Sequence, residues 1–228
     1  MKRGRRDFIK LMSAASAGAV LSCSSDPGSS SVDGAVATTD APPSQADAVV
    51  GIDGGVSCSA TTNDALGPFH APGAPVRMQI ADKSEPGERL MVTGVVVTGA
   101  DCTTPLAGVL LDIWQSDKDG NYHDAGTEYR LRGQVVTGAD GRFQLETIRP
   151  GSYLIAENSW RPAHIHFLVT KPGYNPVTTQ LYFAGDPFLP PNDGCTTCGS
   201  DDPDRIIPLA GSAKAGWSGE FKIILASS

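Results

Sequence analysis

Apolar and polar residues alternate with a period of two along the chain from about residue 58 onward, a pattern typical of strands with one buried face. Gly, Pro, Asp and Asn residues interrupt the alternation at short intervals, as turns do. The pattern predicts eight strands, at residues 89–98, 109–115, 134–137, 142–147, 152–156, 163–170, 177–183 and 220–225. Since no stretch shows an amphipathic helix of three turns, the sequence predicts an all-β fold, an antiparallel β-sandwich with long loops.

The first 57 residues differ from the rest and are predicted to lie outside this fold. Residues 24–57 are mainly Ser, Asp, Gly, Ala, Pro and Val, without an aromatic residue. Such a segment cannot bury enough apolar surface to offset the entropy lost on ordering. We expect a disordered tether at residues 23–57 and one folded domain at residues 58–228.

Residues 1–22 are predicted to be an export signal, because basic residues precede a weakly apolar run. The pair Arg5-Arg6 resembles the start of a twin-arginine signal, which directs folded proteins across the membrane. Val20-Leu21-Ser22-Cys23 resembles a lipobox, so Cys23 is expected to carry a lipid that anchors the mature protein in the periplasm or at the cell surface. Ordinary signal cleavage nearby is the alternative.

The net charge limits the classes of molecule that the protein can bind, and the cysteine content indicates its cellular compartment. The formal net charge is -7, whereas nucleic-acid binding needs a basic face, so nucleic acid is excluded as a partner. With Cys23 set aside, four cysteines remain, and in an exported protein they predict two disulfides of unknown pairing. The alternative is that Cys195 and Cys198 form half of a zinc site.

Two histidines are the strongest candidate metal ligands. His164 and His166 are two residues apart in a predicted strand, so both point to one face while Ile165 points into the opposite layer. Paired imidazoles suit iron, copper and zinc alike. The alternative is a pair of half-buried histidines that only pack.

Two tyrosines are candidates to complete the metal coordination. Tyr122 follows the turn at 119–121 and Tyr153 follows the turn at 150–152, where side chains can enter an opening between the sheets. Taken singly, either residue would be an ordinary amphipathic core tyrosine.

At these residues the chain resembles the intradiol ring-cleavage dioxygenases, especially the protocatechuate and catechol enzymes. The similarity spans about residues 66–188, and its motifs occur in the family's order: Gly67-Pro68-Phe69, residues 105–108, residues 112–115 with Gly120-Asn121-Tyr122, residues 137–153, residues 160–167 and residues 180–186. The chain departs from the family at His70, where tyrosine is common, and in a short interval between Tyr153 and His164. Both departures fall where the substrate entrance is expected.

The resemblance implies an Fe(III) enzyme that cleaves a catechol between its two hydroxyl-bearing carbons to a muconate-type diacid, with dioxygen as co-substrate. Tyr122, Tyr153, His164 and His166 would hold the iron. Tyr153 would also leave the metal and accept a substrate proton. Arg161 would stabilise negative charge on the ring. Trp160, Gln180 and His70 are expected near the substrate; the particular catechol and the oligomeric state stay open.

Two rival functions remain at this stage. A non-catalytic adhesion or binding sandwich is one, because residues 138–143 also resemble the strand pattern of prealbumin-like modules. A zinc hydrolase is the other, with the two histidines and a carboxylate such as Asp112 or Glu157 as ligands.

Overall fold

The computed structural model describes residues 58–126 and 128–228. The predicted export signal, Cys23 and the tether therefore lie outside the described residues. Within the described part of the chain, no helix is long and apolar enough to cross a membrane.

Two sheets and a small hairpin make up the domain. The four-stranded sheet has the order β10 (Ala210–Ser212), β11 (Gly216–Leu225), β1 (Arg89–Thr98), β4 (Arg142–Ile148). The five-stranded sheet has the order β3 (Arg132–Val136), β2 (Leu110–Gln115), β7 (His164–Thr170), β8 (Val177–Phe183), β9 (Ile206–Ile207). Strands β5 (Tyr153–Ala156) and β6 (Ser159–Arg161) form the hairpin, and a 3-10 helix spans Pro203–Arg205.

The predicted all-β sandwich is confirmed, with one correction to strand direction. All eight predicted strands are present, and their ends shift by a few residues. Strands β6, β9 and β10 were not predicted because two or three residues are too few to show alternation. The sheets are mixed rather than purely antiparallel, since β1 pairs with β11 and β8 pairs with β9 in parallel. Long connections set these directions, and the residue pattern within a strand does not report them.

The hydrophobic core lies between the two sheets. Phe167 of β7 packs against Phe143 of β4 and Phe221 of β11, with ring centroids 6.2 Å and 5.5 Å apart. Gly94 in β1 leaves room for the Phe143 ring, because a Cβ there would lie 2.4 Å from Phe143 Cζ. Alternate residues of β7, including Ile165, are fully buried in this core.

The opposite face of the five-stranded sheet carries a row of polar and aromatic side chains. Trp114 lies opposite Arg132 on one side and His166 on the other, and His166 lies opposite Gln180. All four residues are buried although they point away from the core. The candidate site therefore lies under loops on the outer face of one sheet, so the expectation of an opening between the sheets was wrong.

Both predicted disulfides form within the described residues. Cys58 pairs with Cys102 across 44 residues, and Cys195 pairs with Cys198 across three. The second pairing contradicts the alternative of a zinc half-site at those two cysteines.

Candidate metal centre

His164 and His166 lie at the start of β7 on its outer face, with exposed fractions of only 1% and 3%. The His164 Nδ1 is 2.7 Å from the carbonyl oxygen of Pro162, so Nδ1 carries the proton and donates. The Nε2 lone pair is thereby free for another partner, and it lies 3.3 Å from the Tyr122 hydroxyl. His164 thus presents a pre-oriented nitrogen to a space that it shares with Tyr122.

His166 is held by stacking rather than by hydrogen bonds. Its ring lies flat on Trp114, with centroids 4.7 Å apart and planes 7° apart. Its Nδ1 is buried without a hydrogen-bond partner, which is unusual for a native polar group and indicates a missing interaction. Burial lowers the pKa of His164 to about 3 and that of His166 well below its usual value. Both rings are therefore neutral and have a lone pair to donate.

Tyr122 reaches the histidines because the loop after β2 folds back on itself. Asp117 Oδ1 accepts the backbone N–H groups of Asp119 and Asn121, each at 2.9 Å. Gly120 lies between these two residues and has a φ of 83°, a conformation that glycine adopts without strain. A Cβ at this position would lie 2.5 Å from the Ser152 carbonyl oxygen, so the loop packs directly on the segment that carries Tyr153.

The two tyrosine rings meet edge to face, with centroids 5.7 Å apart, and their hydroxyl groups are hydrogen-bonded. The Tyr153 ring is also 5.7 Å from that of His164. Phe69 stacks on the other side of Tyr122 at 4.1 Å. Burial raises the pKa of Tyr122 well above its usual range and also raises that of Tyr153. Phenolates at both positions consequently need a nearby cation.

The donor set fits a ferric ion better than zinc. It offers two neutral imidazoles and two phenols that can become hard anionic ligands, the type that favours a high oxidation state. In residues 58–126 and 128–228, no three His, Cys, Asp or Glu side chains come together as a metal site. Asp112 is engaged with His70 at 3.2 Å, and Glu157 is exposed in the β5–β6 turn. Neither carboxylate completes the zinc site of the rival hypothesis.

Arg161 and Gln180, both predicted near the site, lie together beside it. Arg161 Nη2 donates to Gln180 Oε1 and to the Tyr182 hydroxyl, each at 2.9 Å. Gln180 Nε2 donates to the Ala65 carbonyl oxygen at 3.1 Å, which attaches the N-terminal segment to the sheet. Tyr182 was missed, although its position two residues after Gln180 in a strand puts it on the same face.

The two remaining predicted residues lie further from the four candidate ligands. Trp160 is half-buried and stacks on Phe188 at 4.7 Å, next to the long loop after β8. His70 contacts Trp114 at 4.7 Å between ring centroids, so Trp114 stands between it and His166. Roles in substrate contact remain predictions for both residues.

Comparisons with known proteins point to a single family. A family model described as "Dioxygenase" matches residues 67–209. Chlorocatechol 1,2-dioxygenase of Rhodococcus opacus is 38% identical over 174 residues, which cover 65% of this chain and 65% of the relative. The 6-chlorohydroxyquinol 1,2-dioxygenase of Cupriavidus pinatubonensis is 37% identical over 142 residues, covering 54% and 51%. The chain thus spans between about half and just under two thirds of the length of these curated relatives.

Solved structures agree with the sequence comparisons. The dioxygenase domain of a dioxygenase and carbohydrate-binding protein fusion from Streptomyces sp. SirexAA-E matches with a TM-score of 0.62 and 36% identity, covering 75% of this chain and all of that domain. The 3-chlorocatechol 1,2-dioxygenase of Rhodococcus opacus 1CP matches with a TM-score of 0.65 and 30% identity, covering 75% and 76%.

Proposed function

This chain belongs to the intradiol ring-cleavage dioxygenase family, and we propose that it is a non-haem iron(III) enzyme that cleaves a catecholic ring between its two hydroxylated carbons. The proposed iron ligands are Tyr122, Tyr153, His164 and His166. The proposed product is a muconate-type diacid, and dioxygen is the co-substrate.

The convergence of these four side chains is the observation that carries the proposal. They come from the loop after β2, from the start of β5 and from β7, yet Tyr122 contacts His164 directly and the rings of Tyr153 and His164 are neighbours. A non-catalytic sandwich has no need to bury two histidines among tyrosines on the outer face of a sheet. Of these four residues, His166 has a ring nitrogen, Nδ1, that is buried without a hydrogen-bond partner, and such burial is costly in a site that serves no function.

Bound iron(III) would supply a Lewis acid that withdraws charge from a coordinated catecholate and so makes the ring reactive toward dioxygen. Neutral His164 and His166 would hold the ion without adding charge. Tyr153 begins a short hairpin strand, and its hydroxyl group is less deeply buried than that of Tyr122. Because burial raises the pKa of Tyr153, its free phenolate oxygen would readily take a proton from the incoming catechol.

Arg161 would act as a fixed positive charge beside the ring. It pairs with Tyr153 in the β5–β6 hairpin, and its guanidinium hydrogen bonds leave it little freedom. A charge already oriented before reaction stabilises developing negative charge without reorganisation. The relatives are named for dioxygenase activity on chlorocatechol and on 6-chlorohydroxyquinol, which supports a catecholic substrate class.

We also propose that the protein is exported and held at a membrane by a lipid on Cys23. Support comes from the twin arginines, the lipobox-like residues 20–23 and the two disulfides, which persist mainly in oxidising compartments.

The proposed activity is tested with purified full-length protein loaded with iron(III). We expect visible absorption from phenolate-to-iron charge transfer, and with catechol and dioxygen a product that absorbs as a conjugated diacid. Tyr122→Phe should change the colour, and His164→Ala should lose the iron. Tyr174→Phe is the matched control, because Tyr174 packs on the core and not on the ligands. A colourless ferric protein, or the yellow semialdehyde expected of cleavage beside the diol, would contradict the proposal.

A further inference from the structure

Four side chains hold the buried guanidinium group of Arg161. Besides Gln180 and Tyr182, Cys198 contributes its sulfur, which accepts a hydrogen bond from Arg161 Nη1 at 2.8 Å. Asp193 completes the set, with Oδ1 3.1 Å from Nε in a buried ion pair. The N–H of Arg161 Nε is not aligned for a hydrogen bond with any acceptor. Asp193 therefore stabilises Arg161 by its negative charge. Two of the four groups therefore come from outside the sheets.

Asp193 and Cys198 belong to residues 192–200, which we call the disulfide loop. Asp193 Oδ1 accepts the N–H of Cys195 at 2.8 Å, and its Oδ2 accepts the Ser200 hydroxyl at 2.5 Å. The Gly194 N–H donates to the Trp160 carbonyl oxygen at 2.7 Å, which docks the loop on β6 beside Arg161. The Cys195–Cys198 bond closes this loop.

The guanidinium group of Arg161 lies next to the candidate metal centre. Arg161 is in register with Tyr153, and its partner Tyr182 is in register with His164. If the disulfide loop moved, only Gln180 and Tyr182 would still hold the guanidinium group, so its positive charge would be less firmly placed beside Tyr153 and His164.

We infer that the disulfide loop is a positioning element for Arg161, so that full catalysis requires the Cys195–Cys198 bond. The inference rests on the proposed function, in which Arg161 acts next to the substrate ring. Asp193 and Cys198 are positioning residues, since they act through the guanidinium group. Supporting groups of this kind fix the geometry on which catalytic charges depend.

The two disulfides give a matched pair of variants. Cys195→Ser with Cys198→Ser removes the loop bond, whereas Cys58→Ser with Cys102→Ser removes a bond elsewhere in the domain. In iron-loaded full-length protein, the loop variant should lose kcat by about tenfold or more, because catalysis is sensitive to small misplacements. KM should stay within about twofold, since Arg161 stabilises charge that develops in the transition state. The control variant should keep kcat, and both variants should keep the iron colour.

A double-mutant cycle decides whether the loop acts through Arg161. With Arg161→Ala already present, removing the loop disulfide should lower kcat no further. Asp193→Asn keeps the disulfide and should reproduce the kcat loss, so it carries the test if the loop variant does not fold. An equal loss of kcat with and without the arginine, or a change in KM alone, would overturn the inference.

A chemical readout separates this inference from the proposed function. Arg161 is only 6% exposed, so phenylglyoxal should label it about tenfold faster in the loop variant than in the control variant, as measured by mass spectrometry. Should native protein cleave no catechol, the proposed function fails, while this contrast still supports the positioning role. Equal labelling rates would refute the positioning role whatever the activity.

Discussion

Asp64 is expected to be one of the most important single carboxylates for the stability of the fold. Its Oδ2 accepts hydrogen bonds from Arg205 Nη1 at 2.7 Å, from the Gly199 N–H at 3.2 Å and from the Tyr182 hydroxyl at 3.3 Å. The side chains of Asp64 and Arg205 are 0% and 2% exposed. Asp64→Asn would remove the buried countercharge of the Arg205 guanidinium and leave only the partly exposed carboxylate of Asp202, and breaking a buried ion pair typically costs about 3–5 kcal/mol. We expect a loss of this size in the free energy of unfolding.

Asp202 provides a matched control on the same arginine. Its Oδ2 is 3.4 Å from Arg205 Nε, and its side chain is 29% exposed. Asp202 also caps the 3-10 helix, a role that asparagine fills equally well. Asp202→Asn should therefore cost about 0–1 kcal/mol. Urea unfolding of the oxidised full-length variants measures both values, and losses within 1 kcal/mol of each other would refute the reasoning from burial.

Three further predictions concern stability, chemistry and location. Replacing Cys58 and Cys102 by serine should cost about 4 kcal/mol, because their bond closes a 44-residue segment, and the urea midpoint measures the loss. Tyr153→Phe should slow catechol binding in stopped-flow absorption without releasing iron, since the variant has no hydroxyl to accept the substrate proton. Cys23→Ala should release the protein from membranes on cell fractionation, and continued membrane association would argue against the lipid anchor.

Much of the candidate site was predictable because its signals are local. The face shared by His164 and His166 follows from strand alternation, which holds in any strand. Tyr122 and Tyr153 each follow a turn, and their pairing with the histidines came from the resemblance to a known family. The structure adds the reason they meet, which is the close packing of Gly120 on Ser152.

The missed features depend on contacts between distant parts of the chain. The buried pair of Asp64 and Arg205 joins residues 141 positions apart, and no pattern within either segment reports it. The parallel pairing of β1 with β11 depends likewise on the path of the intervening chain. Residues 195–198 predicted a disulfide or a metal site, but the contact of Cys198 with Arg161 required the folded loop.

The two faces of strand β7 are under different kinds of selection, one for folding and the other for activity. Ile165 and Phe167 contribute to folding through the core, whereas His164 and His166 face the proposed chemistry. A complete mutational scan of this strand should therefore record a period-two signal, in which loss of expression alternates with loss of activity at normal expression. The loops over the outer face can diversify in length and sequence while the core stays fixed, so one scaffold can evolve toward new aromatic compounds without renewed selection for folding.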